Sequence, residues 1–442
     1  MQIKIPQNVE KIIKTLEAAG FEAYAVGGCV RDSLLGRTPN DWDITTSALP
    51  EDVKGLFRKT FDTGIKHGTV SVLLDKEIYE VTTYRIDGEY DDSRHPKNVV
   101  FTKSLSEDLK RRDFTINAMA YNPSSGIVDL FNGREDIEKK IIRCVGDPNE
   151  RFGEDALRIM RAVRFAAQLS YDIDKETAEA IKKLAPTLEN ISAERKREEL
   201  LKIILSDNPG YLMKAYELGI TKVIFPEFDA MVATPQNNPH HCYNVGLHSV
   251  KVMENVEKDR ILRLAALLHD VGKPVTRTTD PKGIDHFYGH PAKGVEIGKA
   301  FFDRFKFDND TKYRVCTLIG HHDWMIEKKI KNLRREINRI GEQAFPAIFE
   351  INRADTAGQS DFKREEKYAA IDALRREYDR IIKDGECVSL KTLALTGNDL
   401  IKAGIEPGPE IGKILNGLLE KVLDDPSLNT KEKLQQLIAG NE

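Results

Sequence analysis

The pattern of apolar and polar positions changes character near residue 130. Residues 7–19 repeat apolar side chains at helical spacing, and Phe21–Val26 is a short apolar run ending at Gly27-Gly28. Thr69–Leu74, Glu77–Tyr84 and Val99–Phe101 carry the β-branched and aromatic enrichment of strands, with Asp75-Lys76 as the expected turn. After Asp129 the strand signal fades. From Asn149 onward helical periodicity dominates, as in Asp155–Leu169, Lys175–Leu184 and Ala193–Leu205. The pattern predicts a mixed α/β head followed by a long, mostly helical body. The Pro- and Asn-rich stretch Thr234–Pro239 reads as a boundary, and the Gly/Pro cluster Gly404–Gly412 as a bend.

Length adds a domain count: 442 residues suggest roughly three domains at about 150 residues each. With 40% hydrophobic and 31% charged residues the composition excludes wholesale disorder. No run of 18 apolar residues is present, which excludes a membrane-spanning helix, and the first residues lack a basic-then-apolar signal pattern. The 5 cysteines are scattered without a C-x-x-C pair, which fits a reducing cytoplasm and argues against disulfides or a cysteine zinc site. A net charge of -4 means that any nucleic acid must be held by local patches.

Gly27-Gly28-Cys29-Val30-Arg31-Asp32 falls where a strand gives way to a helix. Two glycines there let backbone approach a phosphate closely, and a helix N-terminus adds partial positive charge. Alone this is an ordinary tight turn. Asn40-Asp41-Trp42-Asp43-Ile44 follows, and on a strand residues i and i+2 share a face, so Asp41 and Asp43 are expected side by side. Two carboxylates that close are costly unless cations sit between them, and hard oxygen ligands favour Mg²⁺ with substrate phosphates. Two such ions activate an attacking hydroxyl and stabilise a leaving pyrophosphate.

These elements together resemble the bacterial tRNA CCA-adding enzyme and poly(A) polymerase family, class II template-independent nucleotidyltransferases of the polymerase-β superfamily. The resemblance implies that Asp41 and Asp43 are catalytic and bind Mg²⁺, while Gly27, Gly28 and Arg31 hold the triphosphate. Glu80 is a candidate third carboxylate, or an exposed strand residue. Arg111-Arg112-Asp113 resembles the ribose-contacting element, which makes Arg112 and Asp113 nucleotide-binding candidates. Arg85–Pro96 resembles the flexible loop preceding it, and Asp129–Asp136 the hinge from head to neck.

In Glu154-Asp155-Ala-Leu-Arg158-Ile-Met-Arg161, a continuous helix would put Asp155 and Arg158 on one face. The bland reading is a surface ion pair. The resemblance implies instead that this element reads the incoming base, with Arg161 beside it. Cytosine and adenine each present an amino donor beside a ring-nitrogen acceptor, matching one carboxylate and one guanidinium. Uracil and guanine leave donors facing donors, at about 1–3 kcal/mol for each unpaired group. Glu194–Glu199 resembles the element that buttresses this helix.

Most of the histidines fall between positions 240 and 322. His248, His269-Asp270 after an apolar run, and Asp355 match the H…HD…D pattern of HD metal-dependent phosphohydrolases. His290 and His322 would permit a two-metal site, with His322 favoured over His321; His240 and His241 are left outside the set. The metal is divalent and of open identity. The resemblance implies hydrolysis of 2′-nucleotides, 2′,3′-cyclic phosphates or similar RNA ends.

The resulting expectation is an α+β fold. It comprises a polymerase-β-like nucleotidyltransferase head with a mixed sheet (residues 1–138), an all-α neck/body (139–235), an all-α HD domain (236–360) and a helical tail (361–442). The expected activity is template-independent addition of CCA to the tRNA 3′ end from CTP and ATP, without a membrane partner. An A-adding enzyme, a poly(A) polymerase, or an HD phosphohydrolase with an inert head are the alternatives. The best basic patch for RNA is Lys328–Arg335, continuing to Arg339.

Overall fold

The computed structural model describes residues 3–88, 99–323 and 332–439. The chain divides into two compact units, residues 1–226 and 227–442. The division falls ahead of the Pro/Asn stretch, which lies inside the second unit.

In the first unit α1 (Gln7–Ala18) buries Val9, Ile12, Ile13 and Leu16, the stripe that its spacing predicts. Then come β1 (Ala23–Val26), α2 (Gly28–Leu34), β2 (Ile44–Thr46), α3 (Pro50–Leu56), β3 (Thr60–Gly64), β4 (Thr69–Leu74) and β5 (Glu77–Thr83). The ribbon of β6 (Arg85–Asp87) and β7 (Val99–Phe101), α4 (Leu105–Lys110), β8 (Met119–Asn122), β9 (Gly126–Asp129) and α5 (Gly133–Lys139) complete the head. The sheet runs β3-β4-β5-β2-β1-β8-β9. Only β2 and β5 are parallel, so the sheet is mixed as expected. Ala25, Ile44, Val70, Val81 and Met119 bury its inner face against α1. Asp75 and Lys76 have φ of 50° and 72°, the two left-handed residues of a tight hairpin turn closing the Leu74–Glu77 pair.

The neck continues with β10 (Ile141–Ile142), α6 (Pro148–Glu154), α7 (Leu157–Leu169), β11 (Asp172–Ile173), α8 (Lys175–Leu184), α9 (Ala193–Ile204), α10 (Tyr211–Glu217), α11 (Ile220–Ile224) and α12 (Pro226–Val232). It is not purely helical, because β10 and β11 pair in parallel. Two-residue strands are too short to leave any periodicity in a sequence.

The second unit contains α13 (Val245–Glu254), α14 (Arg260–Leu268), α15 (Lys273–Thr276), α16 (His290–Arg304), α17 (Asn309–His321), α18 (Leu333–Ile340), α19 (Phe345–Gly358) and α20 (Arg364–Lys383). A hairpin of β12 (Thr278–Thr279) and β13 (Asp285–His286) interrupts the helices, again invisible to periodicity. α14 packs on α13, α17 and α19, which gathers four helices around one point. A Cβ on Gly272 would lie 2.2 Å from the His290 carbonyl oxygen, so only glycine allows the end of α14 this close to the start of α16. The tail helices α21 (Gly397–Lys402), α22 (Pro409–Asp424) and α23 (Lys431–Ala439) bury Leu400, Leu418, Leu419, Val422 and Leu434 in a core of their own.

Candidate active sites

The Gly27-Gly28 turn joins β1 to α2. Gly27 has φ +83°, and a Cβ there would come within 3.0 Å of Arg112 Nη1, so the turn and the guanidinium are in close apposition. Arg31 is fixed by its own neighbours: Nη1 donates to Asn117 Oδ1 at 2.6 Å, and Nε and Nη2 donate to Asp32 at 2.9 and 3.0 Å.

Asp41 and Asp43 do not lie within a strand. β2 begins at Ile44, and the pair occupies the extended lead-in, where the Asp43 carbonyl still accepts from Val26 N–H at 3.0 Å. The edge of β1 gives way to the glycine turn there, so the ladder stops one step short of the acidic pair. Both carboxylates are exposed, and Glu80 on β5 is exposed as well. The Asp43 carboxyl is pushed up to about 6, by burial of its surroundings and then by the charges of Asp41 and Glu80, against the pull of Arg112. A divalent cation would relieve the charge that Asp41 and Glu80 place on Asp43.

Asp113 is buried rather than presented to a ligand. Its Oδ2 accepts from Arg161 Nε at 2.8 Å and Nη2 at 2.5 Å, and its Oδ1 accepts from Phe114 N–H and Asn117 Nδ2 at 2.8 and 3.2 Å. Burial pushes its carboxyl up, but Arg161 outweighs that and holds it at about 2. Asp108 on α4 serves Arg112 and Arg111 in the same way, at 3.5 and 2.7 Å.

The expected helical pairing of Asp155 with Arg158 is not formed. α6 ends at Glu154, Asp155 is extended (φ −139°, ψ 103°), and α7 begins at Leu157. Asp155 Oδ1 accepts from Leu157 N–H at 3.0 Å, which starts the new helix, and Oδ2 accepts from Arg195 on α9 at 2.7 Å. Arg158 pairs with Glu154 and donates to the Arg151 and Arg111 carbonyls at 3.0 and 3.1 Å. α9 does brace α7, through Asp155–Arg195 and a buried Arg164–Glu199 pair at 2.8 Å.

Sequence reasoning missed Arg164 and Phe165. The guanidinium carbons of Arg164, Arg31 and Arg161 lie 4.1, 5.1 and 5.4 Å from the centre of the Phe165 ring. Each of these arginines has its own carboxylate: Glu199, Asp32 and Asp113. The helical spacing of Arg161 and Arg164 was the available signal.

In the second unit six predicted side chains meet. His248 Nε2 lies 2.9 Å from Asp355 Oδ1, 3.5 Å from Asp270 Oδ2 and 3.3 Å from His269 Nε2. His269 Nε2 lies 3.2 Å from Asp270 Oδ2. Asp270 Oδ1 faces a second group, His290 Nε2 at 3.4 Å and His322 Nε2 at 3.5 Å, which are 3.1 Å from each other. Asp270 therefore belongs to two triads, with His248 and His269 and with His290 and His322.

The four Nδ1 atoms contact carbonyls of Gly358, Ala266, Phe287 and Ile319 at 3.1, 2.8, 2.8 and 2.8 Å. A carbonyl only accepts, so each Nδ1 carries a hydrogen and Nε2 is the ring atom turned toward the cluster. Ligands about 2.1 Å from a common ion stand about 2.9–3.4 Å apart at octahedral or tetrahedral angles, which these spacings match. Ligand-type atoms gathered at such separations are a group that could hold a metal ion.

Lys273, also missed, pairs with Asp270 Oδ2 at 2.7 Å and donates to buried Gln236 at 2.7 Å. Its position three residues after Asp270 was the legible hint. Burial would raise the Asp270 carboxyl, but His269 and Lys273 hold it well below the usual range. His322, not His321, joins the cluster, and the His241 ring lies 5.2 Å from His248 at the cavity lining. The cavity over this cluster measures about 690 Å³.

Most of the flexible loop expected in Arg85–Pro96 and the Lys328–Lys331 part of the basic patch lie outside the described residues. The patch's described arginines are neutralised within the unit: Arg334 by Glu386, Arg335 by Glu420 and Asp424, and Arg339 by Glu336.

Three families match consecutive stretches. The poly(A) polymerase head domain covers residues 23–143, the probable RNA- and SrmB-binding site of polymerase A covers 170–232, and the HD domain covers 240–381. The chain is 37% identical to a CCA-adding enzyme of Limosilactobacillus reuteri over 97% of its own length and 94% of that protein. It is 35% identical to a CCA-adding enzyme of Pediococcus pentosaceus over 99% of both. A crystal structure of the Bacillus stearothermophilus CCA-adding enzyme in complex with CTP matches with a TM-score of 0.72 at 31% identity, over 98% of this chain and 97% of that one. No described helix is long and apolar enough to cross a membrane.

Proposed function

The chain belongs to the CCA-adding enzyme family of tRNA nucleotidyltransferases, and from that membership we propose that it adds CCA to the 3′ end of tRNA from CTP and ATP. The observation that carries this reading is the placement of Asp43 at the lead-in to β2, its carbonyl accepting from Val26 N–H at 3.0 Å, next to a Gly27 turn whose Cβ would come within 3.0 Å of Arg112 Nη1. In the reaction the terminal 3′-oxygen bonds to the α-phosphorus, the bond to pyrophosphate breaks, and the hydroxyl proton passes to solvent water. Asp41, Asp43 and Glu80 would hold Mg²⁺, which supplies hydroxyl activation and charge neutralisation when bound. Arg31 and Arg112, flanking the glycine turn, would hold the triphosphate, Arg31 by exchanging Asp32 or Asn117 for it. Both families use divalent metals; Mg²⁺ in the head is the choice that oxygen-only donors favour. A tRNA substrate and free cysteines support a cytoplasmic setting.

Transcripts ending before CCA, after C or after CC, each offered CTP, ATP, both or UTP, test the activity. Growth by CCA followed by a stop is the expected result. A single A on the CC-ended transcript alone would make this an A-adding enzyme, and a long A ladder a poly(A) polymerase.

Base selection requires Asp155 and Arg158 to exchange Arg195 and Glu154 for the incoming base. Asp155→Ala or Arg158→Ala is expected to reduce the preference for CTP and ATP over UTP and GTP about tenfold or more, given about 1–3 kcal/mol per unpaired group. Single-nucleotide incorporation rates measure this, and an unchanged preference would rule out protein templating by these two residues.

The second unit supports a phosphohydrolase. Water's oxygen bonds to phosphorus, the bond to a sugar oxygen breaks, and that oxygen takes a proton. His248, His269, Asp270, His290, His322 and Asp355 would hold the ions, which supply an activated water and polarise the phosphoryl group when bound.

A further inference from the structure

The HD cavity has a second feature that metal chemistry does not use. Tyr288 lines it and is 79% exposed, a large value for an aromatic side chain in a concave site. Its ring lies nearly parallel to that of His286, with centres 5.4 Å apart and planes 6° apart. His286 is itself anchored, by Nε2 to Asp280 Oδ2 at 3.3 Å and by its place in the β12–β13 pair. Gly289, at φ +76°, makes the turn that sets Tyr288 two residues before the cluster histidine His290. The same cavity is lined by Lys363 and Lys367 at the start of α20. Its volume of about 690 Å³ suits a small organic ligand rather than an inorganic phosphate alone.

We propose that Tyr288, backed by His286, is a stacking platform for the base of a nucleoside phosphate whose phosphoryl group meets the paired histidine-aspartate cluster. The proposal rests on the phosphohydrolase reading of that cluster and adds the group that distinguishes a nucleotide from any other phosphoester. A flat ring already stacked on one neighbour loses little freedom when a base adds to it, and every base has a π-face, so the platform selects nucleotides without selecting among them. Lys363, and Lys367 whose Nζ also donates to Gln359 Oε1, supply the charge that orients the phosphate end.

Metal-loaded full-length protein would be assayed with 2′-AMP, with an RNA oligomer ending in a 2′-phosphate, and with ribose 2-phosphate, which lacks the base. The expected preference for 2′-AMP over ribose 2-phosphate is about tenfold or more, and Tyr288→Ala should abolish it while Tyr288→Trp retains it. Equal preference in Tyr288→Ala and the parent would overturn the platform. Preference for the oligomer over 2′-AMP would identify an RNA end, rather than a free nucleotide, as the occupant of the platform.

Binding gives an independent readout. A 2-aminopurine ribonucleoside 2′-phosphate should be quenched on stacking, and the difference between the parent protein and Tyr288→Ala cancels any nucleotide held by the head. If no substrate is hydrolysed with Mg²⁺, Mn²⁺, Co²⁺ or Ni²⁺ but the Tyr288-dependent quench persists, the phosphohydrolase reading fails and the platform stands. If the quench is the same in both proteins, the platform fails.

Discussion

Asp43→Asn is expected to lower nucleotidyl transfer by roughly a thousandfold while making the cation-free protein more stable rather than less. The two effects share one cause. Partial burial, and then the charges of Asp41 and Glu80, raise the Asp43 carboxyl from 3.8 to about 6. A folded carboxyl with a raised value binds its proton more tightly than the unfolded chain does. The penalty is therefore absent below about 3.8, grows as pH rises through about 6, and is complete above it. Because the side chain is exposed, solvent screening leaves about 1 kcal/mol at neutral pH. Asparagine removes that penalty together with the cation site. Calorimetry without divalent ions should show the variant melting above the parent at pH 7.5, with the gap narrowing as pH falls below about 6 and closing only near 3.8. A variant that melts lower at both pH values would mean the three carboxylates are not crowded; one that keeps transferring would remove Asp43 from catalysis.

The second large effect belongs to the other unit. Asp270→Asn should abolish phosphoester hydrolysis, by a thousandfold or more, and reduce bound metal from two ions per chain to none. Asp270 gives Oδ2 to His248 and His269 and Oδ1 to His290 and His322, and among the described residues it is the carboxylate that serves both groups. His290→Ala should instead leave one ion. CCA addition should persist in both variants, since none of these residues lies in the first unit. Elemental analysis of the purified proteins decides the matter. Two ions retained by Asp270→Asn, or transfer lost along with hydrolysis, would contradict the assignment.

The long periodic elements were legible in the sequence because each carries its own signal. The stripe on α1, the hairpin at Asp75-Lys76 and the helices from Lys175 and Ala193 fall within a residue of their expected bounds. The six metal-ligand candidates were legible as an ordered set of residue types. What failed was local detail at element ends. An unbroken helix through Asp155 was the simplest periodic reading, yet aspartate ahead of an apolar helical run is also a helix-start signal, and that signal prevailed. Asp41 and Asp43 miss β2 because the strand's partner turns away at Gly27. The partners of Arg334 and Arg335 were illegible for another reason: Glu386, Glu420 and Asp424 are too distant in sequence for any window to pair them.

His269, His290 and His322 each send Nδ1–H to the carbonyl three residues earlier in the chain. These bonds close within single short segments, so each ring is set in its ligating tautomer by its own stretch of backbone before distant segments dock. Assembly of the cluster during folding then needs only helix ends to meet, with no rearrangement of the side chains that receive the ions. Metal arrives as the last component of a finished cradle instead of as its nucleus. Chelation should therefore leave an intact apoprotein that reloads at once, and metal should raise the melting temperature only with the logarithm of its concentration over its Kd.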